Sequence, residues 1–441
     1  MIKYYNILSI LLMNSLTRLF SSYISNSIKV VESTLINKTQ YLSKDSQYLA
    51  KEAKYGAHNY KPLPVVLNRG FGVHLYDINN KKYLDFLSAY SAVNQGHCHP
   101  RLLNVLNNQS KKLTLTSRAF YNDKLGEYEE FMCNTFNFDK LLPMNTGVEA
   151  AETAVKLARK WGYEIKNVTK NKAVILFPKD NFWGRSIAAI SSSTDPSSFE
   201  NYGPFVPNFE KIEYNNITEL ENKLKSNPNI VAYMMEPILG EAGVIVPSNG
   251  YLENVRKLCT KYNVLLIFDE IQTGLGRTGE MLAGDHENIK PDILILGKAL
   301  SGGIMPVSAI LSSNEIMLTI KPGQHGSTYG GNPLGAALGI EAVKIISENE
   351  LDHNSFNMGM IFRNEIKNLN NPKIKEIRGK GLMNAIEFDN TVDTDLFCNN
   401  LMINGLLAKP THGNIVRFSP PLIISMCQME QGLNIIKKCL L

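Results

Sequence analysis

The chain of 441 residues lacks several features that would mark common function classes. Its six cysteines, Cys98, Cys133, Cys259, Cys398, Cys427 and Cys439, include no Cys-x-x-Cys pair. No disulfide framework is expected, and free thiols fit a reducing compartment. Beneath the net charge of +5 there is no basic stripe, no aromatic-basic interleave and no arginine-rich tail. That pattern argues against nucleic acid as a partner. The early apolar run Ile7 to Met13 is far shorter than the roughly 20 residues a spanning helix needs, and no later segment is a membrane candidate. Internal repeats and low-complexity tracts are also missing. His97-Cys98-His99 is the one cluster with metal-ligand chemistry, but its spacing matches no common zinc pattern. A structural turn before Pro100 is expected there, and no metal.

Acidic residues are missing from the start of the chain. None precedes Glu32, while Lys3, Arg18 and Lys29 sit among serines and apolar residues. This is the composition of a transit peptide, so residues 1–45 are read as a targeting extension to the mitochondrial matrix, with an unprocessed cytoplasmic extension as the alternative. The rest has an ordinary globular composition, 44% apolar and 20% charged, and is long enough for two domains.

Between about Gly96 and Gly330 short apolar runs alternate with helix-like stretches, as in a doubly wound α/β domain. Ala173 to Phe177, Ile230 to Met235, Val264 to Phe268 and Ile293 to Leu296 are continuous apolar runs, as strands buried on both faces should be. They predict a parallel sheet. Val148, Ala151, Val155, Ala158 and Trp161 recur at helical spacing, and Thr146 with Glu149 forms a capping box, so a helix is expected from about Gly147. After Gly331 strand-like segments at Gly381 to Phe388 and Ile415 to Phe418 stand apart from that alternation. The expected organisation is a large domain over 94–330 and a smaller α/β domain made of 46–93 and 331–441.

Lys298 is the only charged residue between Ile293 and Asn314. An ammonium buried there is costly unless its pKa falls, it finds a partner, or it becomes an imine. A low-pKa lysine at a strand end suits a Schiff base; read alone, the same lysine could snorkel to the surface. Asp269 closes the run Val264 to Phe268, where open α/β sheets place ligand groups. A carboxylate at that point could hold a pyridine nitrogen protonated, though an isolated aspartate there is equally an N-cap or ion pair. Asn145-Thr146-Gly147-Val148 offers backbone N–H groups at a helix start to an anion. Gly274 to Gly279 matches G-x-G-x-x-G, but Asp269 to Thr273 intervene after the strand and Glu280 to Asp292 is polar, so dinucleotide binding is not expected.

Taken together, Lys298, Asp269 and the Gly147 turn resemble the class III aminotransferases of fold type I, which depend on pyridoxal 5'-phosphate. The resemblance runs from Tyr55 to the C-terminus. It is carried by Tyr55-Gly56-Ala57-His58-Asn59-Tyr60, Ser91 to Pro100 (SAVNQGHCHP), Leu113 to Phe120 (LTLTSRAF), Asn181 to Arg185 (NFWGR), Asp269 to Gly274 (DEIQTG), Gly297 to Gly303 (GKALSGG), His325 to Pro333 (HGSTYGGNP) and Leu407 to Gly413 (LAKPTHG). Leu239, Gln324 and the pair Ile304-Met305 depart from the family pattern.

The resemblance implies a large domain with a mainly parallel sheet flanked by helices, plus a smaller α/β domain. It implies that Lys298 carries the cofactor and shuttles the proton, that Asp269 pairs with the pyridine nitrogen, and that Gln272 bonds the ring hydroxyl. Phe182 would stack on the ring, and Gly147 with Val148 would hold the phosphate. Ser327 and Thr328 would reach the phosphate of a neighbouring subunit, which makes a homodimer or higher homo-oligomer the expected state. Arg417 would grip an α-carboxylate and Arg185 the distal carboxylate of glutamate. Tyr60 would join Arg185 at the amino-acid head of the donor, Tyr90 would shape the pocket, and Glu241 would cover Arg417.

The implied reaction moves the δ-amino group of L-ornithine to 2-oxoglutarate. Its products would be glutamate and glutamate 5-semialdehyde, which cyclises to pyrroline-5-carboxylate. Within the same fold the alternatives are transamination of acetylornithine or 4-aminobutyrate and, further off, an aminomutase. A catalytically silent scaffold is disfavoured, since every expected catalytic residue type is present.

Overall fold

The computed structural model describes residues 44–440. The expected targeting extension, apart from its last two residues, lies outside the described residues. The described residues divide into two compact units, one holding 44–68 and 76–81, the other 69–75 and 82–440. In the first, the helix Lys44–Tyr55 comes at the start of the described residues. Its second segment turns on Asp77, whose Oδ1 accepts the N–H groups of Asn79 and Lys81 at 2.9 Å each. Asn79 Nδ2 donates to Asp45 Oδ2 at 3.0 Å. Strands β1 (Leu67–Phe71) and β2 (His74–Asp77) carry the chain from one unit into the other.

The second unit continues with β3 (Lys82–Asp85) and then builds a seven-stranded sheet. Its strands are β4 (Lys140–Met144), β5 (Val174–Pro178), β6 (Phe209–Ile212), β7 (Ile230–Met235), β8 (Leu265–Asp269), β9 (Ile293–Leu296) and β10 (Ser308–Ser312). They lie in the order β4-β10-β9-β8-β7-β5-β6. From β6 through β5, β7 and β8 to β9 every pairing is parallel, and β10 runs antiparallel to both β9 and β4. The expected runs at Ile230 and Ile293 become β7 and β9 residue for residue. Those at Ala173 and Val264 become β5 and β8, each displaced by one residue. All four are wholly buried.

Helices cover both faces of the sheet. On one lies Gly147–Glu164, whose Ala150, Ala154, Leu157, Ala158 and Trp161 pack on Ile175, Val231 and Ile267. Its apolar face is made of small residues, and the approach is close. A Cβ on Gly162 would sit 2.3 Å from Val231 Cγ1. The helix starts where the sequence says, with Thr146 accepting from Glu149 N and the Glu149 side chain answering to Thr146 N. On the other face Leu220 and Leu224 of the helix Ile217–Ser226 and Tyr251, Val255 and Leu258 of the helix Tyr251–Lys261 meet Leu176, Tyr233 and Leu266. Each fully buried aliphatic side chain contributes about 1.5–3 kcal/mol, so this two-sided core holds the strand ends in place.

Beyond the helices Pro333–Glu348 and Leu351–Lys367 come β11 (Ile374–Lys380) and β12 (Met383–Phe388). After the helix Thr394–Ile403 follow β13 (Leu406–Leu407), β14 (Lys409–Pro410) and β15 (Ile415–Phe418). These strands form an antiparallel sheet in the order β11-β12-β15-β14, while β13 pairs in parallel with β3. The C-terminal helix Met426–Leu440 packs on Leu351–Lys367 and Thr394–Ile403. Among the described residues no helix is long and apolar enough to cross a membrane.

The residues around His97 have structural partners. His97 Nε2 lies 2.7 Å from Asp85 Oδ2, and the His99 side chain caps the helix Pro100–Ser110 by accepting from Arg101 N. The six cysteines are free. No helix opens within Gly274 to Gly279, which remains a run of turns around the fully buried Arg277, so the geometry of a dinucleotide loop is not formed.

Candidate active site

Parallel strands deliver their carboxyl ends to one edge of the sheet, and four neighbouring strands place polar groups there. Asp269 is the last residue of β8, Glu236 follows β7, Lys298 stands two residues past β9, and the Asn181–Arg185 loop follows β5. Gly147, Val148, Phe182, Asp269, Gln272 and Lys298 line a cavity of about 140 Å³, together with Glu236 and Ile271. Trp183 and Gly184 also line it, and these two with Glu236 and Ile271 are not among the site residues expected from the sequence. Glu236 carried a readable signal, since it ends a buried apolar run just as Asp269 ends its own.

Burial dominates the electrostatics. It pushes the Lys298 ammonium down to about 8, with Glu241 opposing the shift and Arg417 assisting it. It pushes the Asp269 carboxyl up to about 6, against the Ile271 N–H that donates to Oδ1 at 3.0 Å and the charge of Lys298. Glu236 is pushed up to about 8 by burial and by the charge of Asp269. Its two oxygens accept from Phe182 N at 3.1 Å and Gly240 N at 3.0 Å. Lys298 takes a left-handed backbone, φ 44°.

Gln272 joins this cavity to a second group of residues. Its Oε1 accepts from Arg417 Nη1 at 2.9 Å, and its Nε2 donates to Glu241 Oε1 at 3.3 Å. Arg417, buried on β15, donates to the same Glu241 oxygen at 2.9 Å and to Gly240 O at 3.3 Å. Burial works to raise the Glu241 carboxyl, but Arg417 and Lys298 overcome it and hold the group below its ordinary value. The guanidinium of Arg417 lies over the Tyr90 ring, 4.9 Å from its centroid. Tyr90 is held there by an unusual backbone: Ser88, Ala89, Tyr90 and Ser91 have φ of 51°, 46°, 59° and 70°. Four successive non-glycine residues in the left-handed region are strained.

The remaining expected residues are placed less centrally. Arg185 is exposed, donates to Ser198 Oγ at 3.3 Å and lies 5.7 Å over the Phe182 ring. A cavity of about 380 Å³ shares Phe182 with the first and adds Asp195, Ser198, Glu241 and His412. Ser327 and Thr328 do not line either cavity. Ser327 Oγ accepts from Asn145 Nδ2 at 2.7 Å, next to the Gly147 turn, and Thr328 is exposed. Tyr60 belongs to the first unit and is 76% exposed. The departures sit in ordinary surroundings: Leu239 pairs with Ile245, Met305 O accepts from Ser301 Oγ, and Gln324 caps Lys321 N.

The cavity fits a small aromatic aldehyde bearing a phosphate. Gly147 and Val148 present N–H groups without an acceptor among the described residues, at a helix start suited to an anion. Phe182 and Ile271 give it apolar walls, Asp269 gives a buried carboxylate, and Lys298 gives an amine whose free base is accessible near neutral pH. These features define a pyridoxal-phosphate-dependent transaminase of fold type I.

The chain belongs to the class III aminotransferases: residues 55–440 match the family Aminotransferase class-III. It is 58% identical, over 386 residues, to the mitochondrial ornithine aminotransferase of Drosophila melanogaster, spanning 88% of this chain and 89% of that one. The crystal structure of ornithine aminotransferase from Toxoplasma gondii superposes with a TM-score of 0.89 at 44% identity, covering 92% of this chain and 97% of that one. Acetylornithine aminotransferase from Elizabethkingia anophelis superposes with a TM-score of 0.83 at 50% identity, covering 90% and 98% of the two chains.

Proposed function

We propose that this enzyme transfers the δ-amino group of L-ornithine to 2-oxoglutarate, producing glutamate and glutamate 5-semialdehyde, which closes to pyrroline-5-carboxylate. The observation that carries the reading is Arg417, buried against Tyr90 and covered by Glu241. An open arginine there would take the α-carboxylate of any amino acid and present its α-amine. With Glu241 in place that anchor is withheld, and ornithine binds its head group through Arg185 with the δ-amine forward. 2-Oxoglutarate and glutamate carry two carboxylates, so one of them displaces Glu241 and takes Arg417 while Arg185 holds the other.

Bound pyridoxal phosphate supplies an aldehyde to receive the amino group and a ring that withdraws electrons from the adjacent carbon. The chain's own residues do the rest. Gly147 and Val148 would hold the phosphate, Phe182 would face the ring, Gln272 would bond the ring hydroxyl, and Asp269 would keep the pyridine nitrogen protonated. Lys298 Nζ holds the cofactor at rest and then moves the proton off the substrate carbon that bears the departing amine. In a homodimer Ser327 and Thr328 of each chain would reach the partner's phosphate. Residues 94–330 would bind the cofactor, residues 46–93 with 331–441 would form the smaller domain, and residues 1–45 would direct the enzyme to the mitochondrial matrix.

The Elizabethkingia relative's name points to a second reading, N-acetylornithine as donor. Comparing half-reaction rates with ornithine, N-acetylornithine and 4-aminobutyrate separates the two. Ornithine should be fastest, and faster N-acetylornithine turnover would overturn the proposal. Glu241→Ala should raise α-transamination of ornithine relative to δ-transamination and speed the glutamate half-reaction. If only the δ-product forms and the ratio of rates does not change, Glu241 is no gate.

A further inference from the structure

The segment from Leu239 to Ile245 is fastened along its backbone independently of the Glu241 carboxylate. Leu239 and Ile245 pair across its neck. Gly240 N donates to the buried Glu236 at 3.0 Å, and Gly243 O accepts from Arg378 Nε at 2.9 Å. The contact nearest the gate is the hydroxyl of Thr411, which donates to the carbonyl oxygen of Glu241 itself at 2.6 Å. Thr411 sits in the turn between β14 and β15, fixed by Thr411 N to Ile415 O at 2.9 Å and Ile415 N to His412 O at 3.2 Å. Arg417 lies on the second strand of the same hairpin, opposite Lys409. One hairpin thus holds Glu241 at both ends, its carboxylate through Arg417 and its peptide through Thr411.

We propose that Thr411 is a positioning residue for substrate choice. It pins the Glu241 peptide so that only the side chain swings when a second carboxylate claims Arg417. The Glu241 carboxylate has two contacts to lose, Arg417 at 2.9 Å and Gln272 at 3.3 Å. The peptide contact to Thr411 does not depend on either. A pinned peptide keeps the carboxylate within reach of Arg417 and returns it there after each glutamate half-reaction. Without the hydroxyl, Glu241 O loses its donor and the covered state of Arg417 is less populated. Substrates that need an open Arg417 then gain, and ornithine in its δ-forward pose loses. The inference rests on Glu241 acting as the gate.

The test is single-turnover kinetics on Thr411→Val, Thr411→Ser, Glu241→Ala and the Val–Ala double variant, read from the absorbance of the bound cofactor with ornithine and with glutamate. Thr411→Val should raise the glutamate-to-ornithine rate ratio about threefold to tenfold, the span of one neutral hydrogen bond, and should release some α-product from ornithine. Thr411→Ser should restore the native ratio. In the Glu241→Ala background the valine should add nothing, because there is no gate left to position. Hydrogen exchange over 238–246 in substrate-free enzyme should quicken in Thr411→Val and not in Thr411→Ser. Thr411→Ala serves in the same way should the valine variant fail to fold. An unchanged ratio in Thr411→Val, equal slowing of both half-reactions, or a shift that persists in the double variant each overturns the role of Thr411. An unchanged ratio in Glu241→Ala overturns the gate beneath it.

Discussion

His97 Nε2 and Asp85 Oδ2 lie 2.7 Å apart, and through this pairing the end of β3 is tied to the loop that follows Tyr90. The other oxygen of Asp85 accepts Leu87 N at 2.8 Å and Ser88 N at 2.9 Å, at the mouth of the left-handed turn. The carboxylate therefore meets the strain that sets the Tyr90 ring under Arg417. Asp85→Ala is expected to cost roughly 1–3 kcal/mol through donors left without an acceptor, and to raise the KM for ornithine more than it lowers kcat. Thermal unfolding and steady-state kinetics check both. An unchanged melting temperature with an unchanged KM would remove Asp85 from this role.

Lys298→Ala should end steady turnover while leaving measurable affinity for pyridoxal phosphate, since the phosphate and ring contacts come from other residues. Borohydride should then fix no cofactor to the chain. Peptide mapping after reduction decides the matter: a label on any other lysine would mean that the resting attachment lies elsewhere.

Asp269→Asn keeps the shape of the side chain and removes the charge. The amide cannot hold a proton on the pyridine nitrogen as an anion does, so the half-reaction with ornithine should slow by one to several orders of magnitude, as for other preorganised charges. Stopped-flow traces give the rate directly. A variant within about a factor of two of the native rate would exclude the charge from the mechanism.

The pH dependence follows from Lys298, whose ammonium burial lowers from 10.5 to about 8. Only the uncharged amine can attack an aldehyde. In cofactor-free enzyme, covalent uptake of pyridoxal phosphate should therefore accelerate about tenfold per pH unit below the lysine pKa and level off above about 8. The same shift stabilises the cofactor-free fold as pH rises from about 8 to 10.5, because in that window the unfolded chain holds a proton that the folded chain has shed. A rate that goes on rising about tenfold per unit through pH 9 and 10 would contradict the lowered pKa of Lys298.

Strands buried on both faces were the most legible part of the fold. Ile230–Met235 and Ile293–Leu296 carry no charged residue, because neither face meets water, and the one buried hydroxyl, on Tyr233, pairs with that of Tyr251 at 3.1 Å. Within the seven-stranded sheet, the strands not expected from the sequence lack an uninterrupted apolar run. Phe209–Ile212 is a half-buried edge and Lys140–Met144 includes Pro143, while Ser308–Ser312 is buried throughout but begins and ends on serine, which hides the apolar run. At the site, Asp269 and Lys298 could be read as charges at the ends of apolar runs. Glu236 obeys the same rule and was overlooked. The turn at Ser88 was illegible because Ser, Ala and Tyr have no local preference for positive φ, although Asp85, three residues upstream, accepts the N–H of Ser88.

Gln272 faces a guanidinium with its oxygen and a carboxylate with its nitrogen. Among long side chains, glutamate would set a second anion beside Glu241, lysine a second cation beside Arg417, and methionine would answer neither neighbour. An amide has one end of each kind, and here it can lie only one way round. One uncharged side chain thus answers both charges at once, and its orientation is fixed by the pair on either side of it.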